Sequence, residues 1–113
     1  MAYSNKAFFD TLRSTTPASI GAAYATFGSV LTYATLIVCF KNYTNGDVYV
    51  STDGTNDHLL IPANSYTVYD LRTNAPFNLE YAFAIGTQFY VKDGPTAPTT
   101  GTFVLETLVV RAT

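Results

Sequence analysis

Runs of aromatic and β-branched residues, divided at short intervals by Gly, Pro and Asn-Asp clusters, leave this chain few folds other than an all-β one. Residues 36–41 are almost continuously apolar and predict a central strand. The Asn45-Gly46 pair after them carries the signal of a tight hairpin, so residues 48–52 are expected to return antiparallel beside that strand. Within the return strand Val48 and Val50 alternate with Tyr49 and Ser51, which assigns the valines to the core face. Residues 53–57 and 62–65 read as turns flanking a short strand at 58–61, and a further strand follows at 66–71. Residues 73–76 close that unit, and strands are predicted at 79–85, 88–92 and 102–110. The segment 93–101, with Gly94, Pro95, Pro98 and Gly101 and no apolar periodicity, is expected as a surface loop.

About eight strands in one small domain require two packed sheets, because a single sheet that wide leaves an apolar face in water. The predicted fold is therefore a single-domain antiparallel β-sandwich, jelly-roll-like. Alternation nominates Leu36, Val38, Phe40, Val48, Val50, Phe89, Val91, Phe103, Leu105 and Leu108 for its core. A chain of 113 residues supplies one core and not two.

Only 12% of the residues are charged, against about 25% in an ordinary globular domain, so Thr, Ser, Asn and Tyr must make up much of the surface. The six cations are scattered and the net charge is -2, which provides no phosphate-binding face, and no nucleic-acid partner is expected. Residues 1–6 lack the pattern of a signal peptide, and no apolar run approaches the ~18 residues of a membrane span. The expectation is synthesis in a host cytoplasm and no membrane association. Cys39, inside the apolar run, reads as a small buried hydrophobe.

Catalytic chemistry finds little to work with. The one imidazole, His58, sits at a turn with only Asp53 and Asp57 near it in sequence, and one His and one Cys cannot hold zinc. The Asp53-Gly54-Thr55-Asn56-Asp57 segment lacks the alternation and the bidentate Glu of a calcium loop, and turn chemistry explains it. Asn42-Tyr43-Thr44 has the form of a glycosylation sequon and is read as part of the hairpin turn. Glu80 and Glu106 are the carboxylates that a glycosidase reading would need, and nothing in the sequence brings them together. Gly86, Gly94 and Gly101 are isolated rather than a phosphate loop. No enzyme activity, no metal site and no cofactor are expected.

What the surface offers instead is aromatic. Tyr43, Tyr49 and Tyr66 lie on or near the predicted turns and strand starts, and tyrosine suits both protein interfaces and sugar platforms. Residues 1–20 form a segment distinct from the sandwich of residues 21–113 and read as an arm or a short helix. Phe8, Phe9 and Leu12 within it are candidate anchors on a neighbouring subunit.

Six stretches, in order, carry a family resemblance: residues 24–32, residues 40–48, residues 50–58, the turn Ile61-Pro62-Ala63-Asn64-Ser65, Tyr69-Asp70-Leu71 with Thr73-Asn74, and residues 86–92. Together they resemble a group of small β-sandwich, virion-associated structural proteins of tailed bacteriophages, over residues 21 to 110. The resemblance implies a non-enzymatic component of the particle: a capsid decoration or cement protein, a neck protein or a tail component. Its implied partners are other virion proteins, the major capsid protein or connector and tail proteins, together with copies of itself in a symmetric oligomer, and its implied location is the virion. It carries no site motif, so no functional residues transfer. The alternative expectation, from a different class, is a carbohydrate-binding or host-adhesion β-sandwich module.

Overall fold

The computed structural model describes residues 5–71 and 82–112. In chain order they form β1 (Asn5–Phe9), β2 (Arg13–Thr15), a 3₁₀ turn at Pro17–Ser19, β3 (Ala25–Thr26), β4 (Ala34–Asn42), β5 (Val48–Ser51), β6 (Leu59–Ile61), β7 (Ser65–Asp70), β8 (Tyr90–Asp93) and β9 (Phe103–Ala112). A five-stranded sheet runs β1-β9-β4-β7, with β2 also against β9, and a four-stranded sheet runs β3-β8-β5-β6. Every ladder is antiparallel, and the pairs nest: β1 and β2 with β9, β3 with β8, β4 with β7, β5 with β6. Such nesting winds the chain as a jelly roll around one core, the fold class that the sequence predicts. The predicted turn at 73–76 and residues 79–81 of the predicted strand at 79–85 lie outside the described residues, and residues 82–85 form no strand. Phe83, from that stretch, makes a single antiparallel bridge to Thr35.

One local expectation fails. Residues 42–47 do not make a hairpin, because β5 pairs with β6 and β8 in the small sheet, while β4 lies in the large one. The Asn45-Gly46 segment is a crossover between sheets. Gly46 does not have the positive φ that a hairpin turn of the expected type demands. It is glycine for space, since a Cβ there would come within 2.5 Å of Pro98 Cα and the Thr96 carbonyl oxygen. Asn42 fixes the crossover: its buried Nδ2 donates to the carbonyls of Gly46 (3.0 Å), Ile61 (2.9 Å) and Pro62 (3.1 Å). Its Oδ1 accepts from Thr44 N–H at 2.9 Å and from the Thr44 hydroxyl at 2.5 Å.

The core fills the space between the sheets. Val38 and Phe40 of β4, Phe103 and Leu105 of β9, Val48 and Val50 of β5, Ile61 of β6 and Val91 of β8 all face inward, with Phe27, Leu31 and Phe89 joining from the loops. Phe40 is the hub, 5.4 Å from Phe89 in an edge-to-face contact and 6.1 Å from Phe103 in a stacked one.

Two predicted core positions are displaced. On β9 the inward set is Phe103, Leu105, Thr107 and Val109, so Leu108 faces out, one step off the expected parity. On β4 a bulge falls between Thr35 and Ile37, so Thr35 takes the inward place and Leu36 is only half-buried. Thr107 is the odd member of the inward row: its hydroxyl is buried with no hydrogen-bond partner. Thr107→Val keeps the shape and removes the desolvated hydroxyl. It is expected to stabilise the fold by about 1 kcal/mol, read as a rise of several degrees in Tm, whereas a lower Tm would mean that the hydroxyl has a structural role.

The segment expected as an arm or a short helix is laid along the molecule's own β9 as β1 and β2, followed by the turn at Pro17–Ser19. Phe8 turns in against Tyr33 in an edge contact at 5.0 Å, and Phe9 turns out. Those opposite directions are the period of two that defines a strand. Arg13 ties the segment down: its Nε donates to Ser29 O at 3.1 Å and Nη2 to Val30 O at 3.3 Å, and its stem lies over Gly28.

Candidate functional site

Strand alternation gives the large sheet a second face, turned away from the small sheet. The register builds it in rows. Phe9, Leu108, Ile37 and Asp70 lie side by side across β1, β9, β4 and β7. The next row holds Glu106, Cys39 and Val68, and the one after it Val104, Lys41 and Tyr66. Most of these side chains are apolar, and no described element covers them: Phe9 is 79% exposed, Tyr66 70% and Val68 49%. Strands that are apolar on both faces normally lie between two layers. Here the small sheet supplies only one.

The middle of this face holds one ion pair, Lys41 Nζ to Glu106 Oε1 at 3.1 Å. The hydrogen bond from Lys41 to the Glu106 carboxylate pushes the Lys41 pKa up. Burial and the neighbouring Glu106 push the Cys39 thiol up as well, which keeps it protonated and a weak nucleophile. Two shallow grooves meet at Glu106. One, of about 550 Å³, has Lys41, Cys39 and Asn64 along it and the exposed rings of Tyr43 and Tyr66 beside it. The other, of about 370 Å³, is bounded by Phe9, Asp10 and Leu12.

Of the six contact residues expected from sequence, Phe9, Leu12, Tyr43 and Tyr66 therefore line the two grooves that meet at Glu106. Phe8 is turned inward. Tyr49 belongs to the small sheet, where the Lys92 ammonium lies 5.4 Å from its ring centre and 4.8 Å from that of Tyr24. The same ammonium is 3.0 Å from Asp57 Oδ1, which also accepts the Tyr24 hydroxyl. Burial and the Asp57 bond push the Tyr24 pKa well above the usual phenol range. Sequence reasoning missed Ile37, Val68, Val104 and Leu108, together with the pair Lys41 and Glu106. A signal was present in the near-continuous apolar runs of β4 and β9, which alternation alone assigns to one buried face.

The remaining polar groups are used by the fold. His58 Nδ1 accepts Thr52 N–H at 3.0 Å, and its Nε2 is 3.7 Å from Asp53 Oδ2. The Asp53 carboxylate accepts the N–H groups of Asn56 and Thr55, both at 2.8 Å, which hold its pKa far below the usual carboxylate range. This is a closed Asx turn, and His58 is held beside it by the Thr52 N–H. Glu80 lies outside the described residues, so the pairing with Glu106 has no geometry to weigh. Among the described residues no three His, Cys, Asp or Glu side chains gather to hold a metal ion, and no helix is long and apolar enough to cross a membrane.

No family model matches the chain, and comparison with curated proteins gives no match.

Proposed function

We propose that the protein is a non-enzymatic structural component of a tailed-phage virion, acting through protein-protein assembly on the outer face of its large sheet. The observation that carries the assembly reading is that face, four strands wide, largely apolar and covered by no described element. Water-exposed apolar area of this extent on a small domain marks a contact surface. The phage assignment rests on the ordered likeness of residues 21 to 110 to small virion proteins. Jelly rolls occur in both viral coat and lectin domains, so topology serves the structural and the adhesive reading equally.

A specific feature favours a second reading. Tyr43 and Tyr66 stand beside a groove that also holds Lys41, Glu106 and Asn64, which suits a sugar ring stacked on an aromatic with its hydroxyls bonded below. Under that reading the protein is a carbohydrate-binding or host-adhesion module.

Purified particles decide between them. The expected result is that the chain co-purifies with virions at a fixed ratio to the major capsid protein and that Val68→Lys abolishes incorporation while leaving the fold intact. Absence from particles, combined with Tyr66-dependent signal on a glycan array, would replace the structural reading with the adhesive one.

A further inference from the structure

From the same face we infer that the partner seated on it is a second copy of this chain, giving a two-fold dimer in which the large sheets pack face to face. The inference rests on the assembly reading above and names the occupant.

Three observations lead to it. First, both β4 and β9 are largely apolar outward as well as inward, so the large sheet has the side-chain pattern of a middle layer while the described residues supply only one outer layer. A copy docked on this face completes the sequence of layers.

Second, the dimensions suffice. With neighbouring strands about 4.8 Å apart and a rise of about 3.3 Å per residue, four strands and the length of β4 span about 19 by 27 Å, or about 500 Å². Two copies then bury about 1,000 Å², the lower bound for a specific interface. Phe9 and Leu12 at one edge and Tyr43 at the other extend the contact beyond that rectangle.

Third, the charges are self-complementary. Lys41 and Glu106 are adjacent in the middle of the face, flanked by Ile37, Cys39, Val68 and Val104, with Asp70, Asp10 and Ser14 towards its edges. A two-fold axis lying between the sheets and bisecting the line from Lys41 to Glu106 places each ammonium over the carboxylate of the other copy. One cation beside one anion is its own complement under that operation, as an isologous interface requires.

The test is sedimentation velocity on the full chain across the micromolar range, with circular dichroism to verify folding of each variant. The wild type is expected to dimerise. Val68→Lys, Lys41→Glu and Glu106→Lys are each expected to weaken the dimer by about tenfold or more, because each buries a lone charge or sets like charges together. Mixing the Lys41→Glu and Glu106→Lys chains is expected to restore a dimer at least as tight as wild type, since all four facing charges are then opposite. A pair acting only within one chain gains nothing from mixing.

A wild type that stays monomeric, a dimer indifferent to all three substitutions, or a mixture that fails to associate would each overturn the inference. A monomeric wild type that still enters particles in a Val68-dependent way overturns the second copy and keeps the assembly reading. A monomeric wild type that binds saccharide through Tyr66 overturns both.

Discussion

Asn42→Asp is expected to unfold the protein at neutral pH, although the two side chains have the same shape. The Asn42 amide points its two hydrogens at three carbonyl oxygens, those of Gly46, Ile61 and Pro62, in a fully buried position. A carboxylate there has no hydrogen to offer and adds a negative charge facing those oxygens. Removing the side chain with Asn42→Ala leaves Thr44 N–H without its acceptor and takes a donor from all three carbonyls, although Gly46 O keeps the Thr44 hydroxyl and Pro62 O the Ser65 hydroxyl. At about 1–3 kcal/mol for each buried group left unpaired, and with partial relaxation, the alanine variant is expected to lose about 2–4 kcal/mol. That is a large part of the 5–15 kcal/mol typical of a whole domain.

The carboxylate variant should lose more than the alanine variant at pH 7 and recover part of the loss in acid. The sign follows from linkage. Burial among acceptors raises the pKa of the introduced carboxyl in the folded state, so its penalty is absent below the unfolded carboxyl value and grows as pH rises above it. Urea denaturation of wild type, Asn42→Ala and Asn42→Asp at acid and neutral pH measures this. An Asn42→Asp midpoint equal to wild type at pH 7 would show that the crossover does not depend on the amide.

Phenylalanine provides the second large effect, through a contrast between two positions. Phe40→Ala removes the ring that touches both Phe89 and Phe103 at the centre of the core, and it is expected to cost about 3–5 kcal/mol. Phe9→Ala removes a ring that the single chain leaves 79% exposed, and in dilute monomer it is expected to change stability by about 0.5 kcal/mol or less. At concentrations where copies associate, the Phe9 substitution should show itself as weaker association, with the intrinsic stability of the monomer unchanged. Chemical denaturation at two protein concentrations separates these contributions. Equal losses from the two substitutions in the monomer would mean that Phe9 is packed by its own chain.

Much of this architecture is legible in single residues. Val48 and Val50 face the core because a strand alternates with a period of two, and Asn45-Gly46, Asp53-Gly54 and Pro62-Ala63-Asn64 interrupt strands because those residues favour turns. Asn64, the one described non-glycine residue with positive φ, sits in such a turn. Where the structure departs from these local rules, a distant partner decides. Asn-Gly signalled a hairpin, but three carbonyls from separate parts of the chain bind the Asn42 amide, and the Pro98 backbone occupies the space beside Gly46. Leu36 falls outside the core because of a bulge that sequence does not mark, and Leu108 because the parity set by Phe103 and Leu105 continues through Thr107 and Val109.

By itself, then, the sequence determined the class of fold, the position of most strands and the part of the inner core that Val38, Phe40, Val48, Val50, Phe89, Val91, Phe103 and Leu105 supply, since these depend on side-chain volume and on a period of two within a few residues. The tertiary structure decided which strands pair, where the chain crosses between sheets, and which of two apolar faces the second sheet covers. Those choices depend on contacts between residues far apart in sequence, such as β1 with β9 or Asn42 with Ile61. Inward and outward apolar faces have the same period, so only the assembled sandwich distinguishes the face that is buried from the face, from Phe9 to Tyr66, that no described element covers.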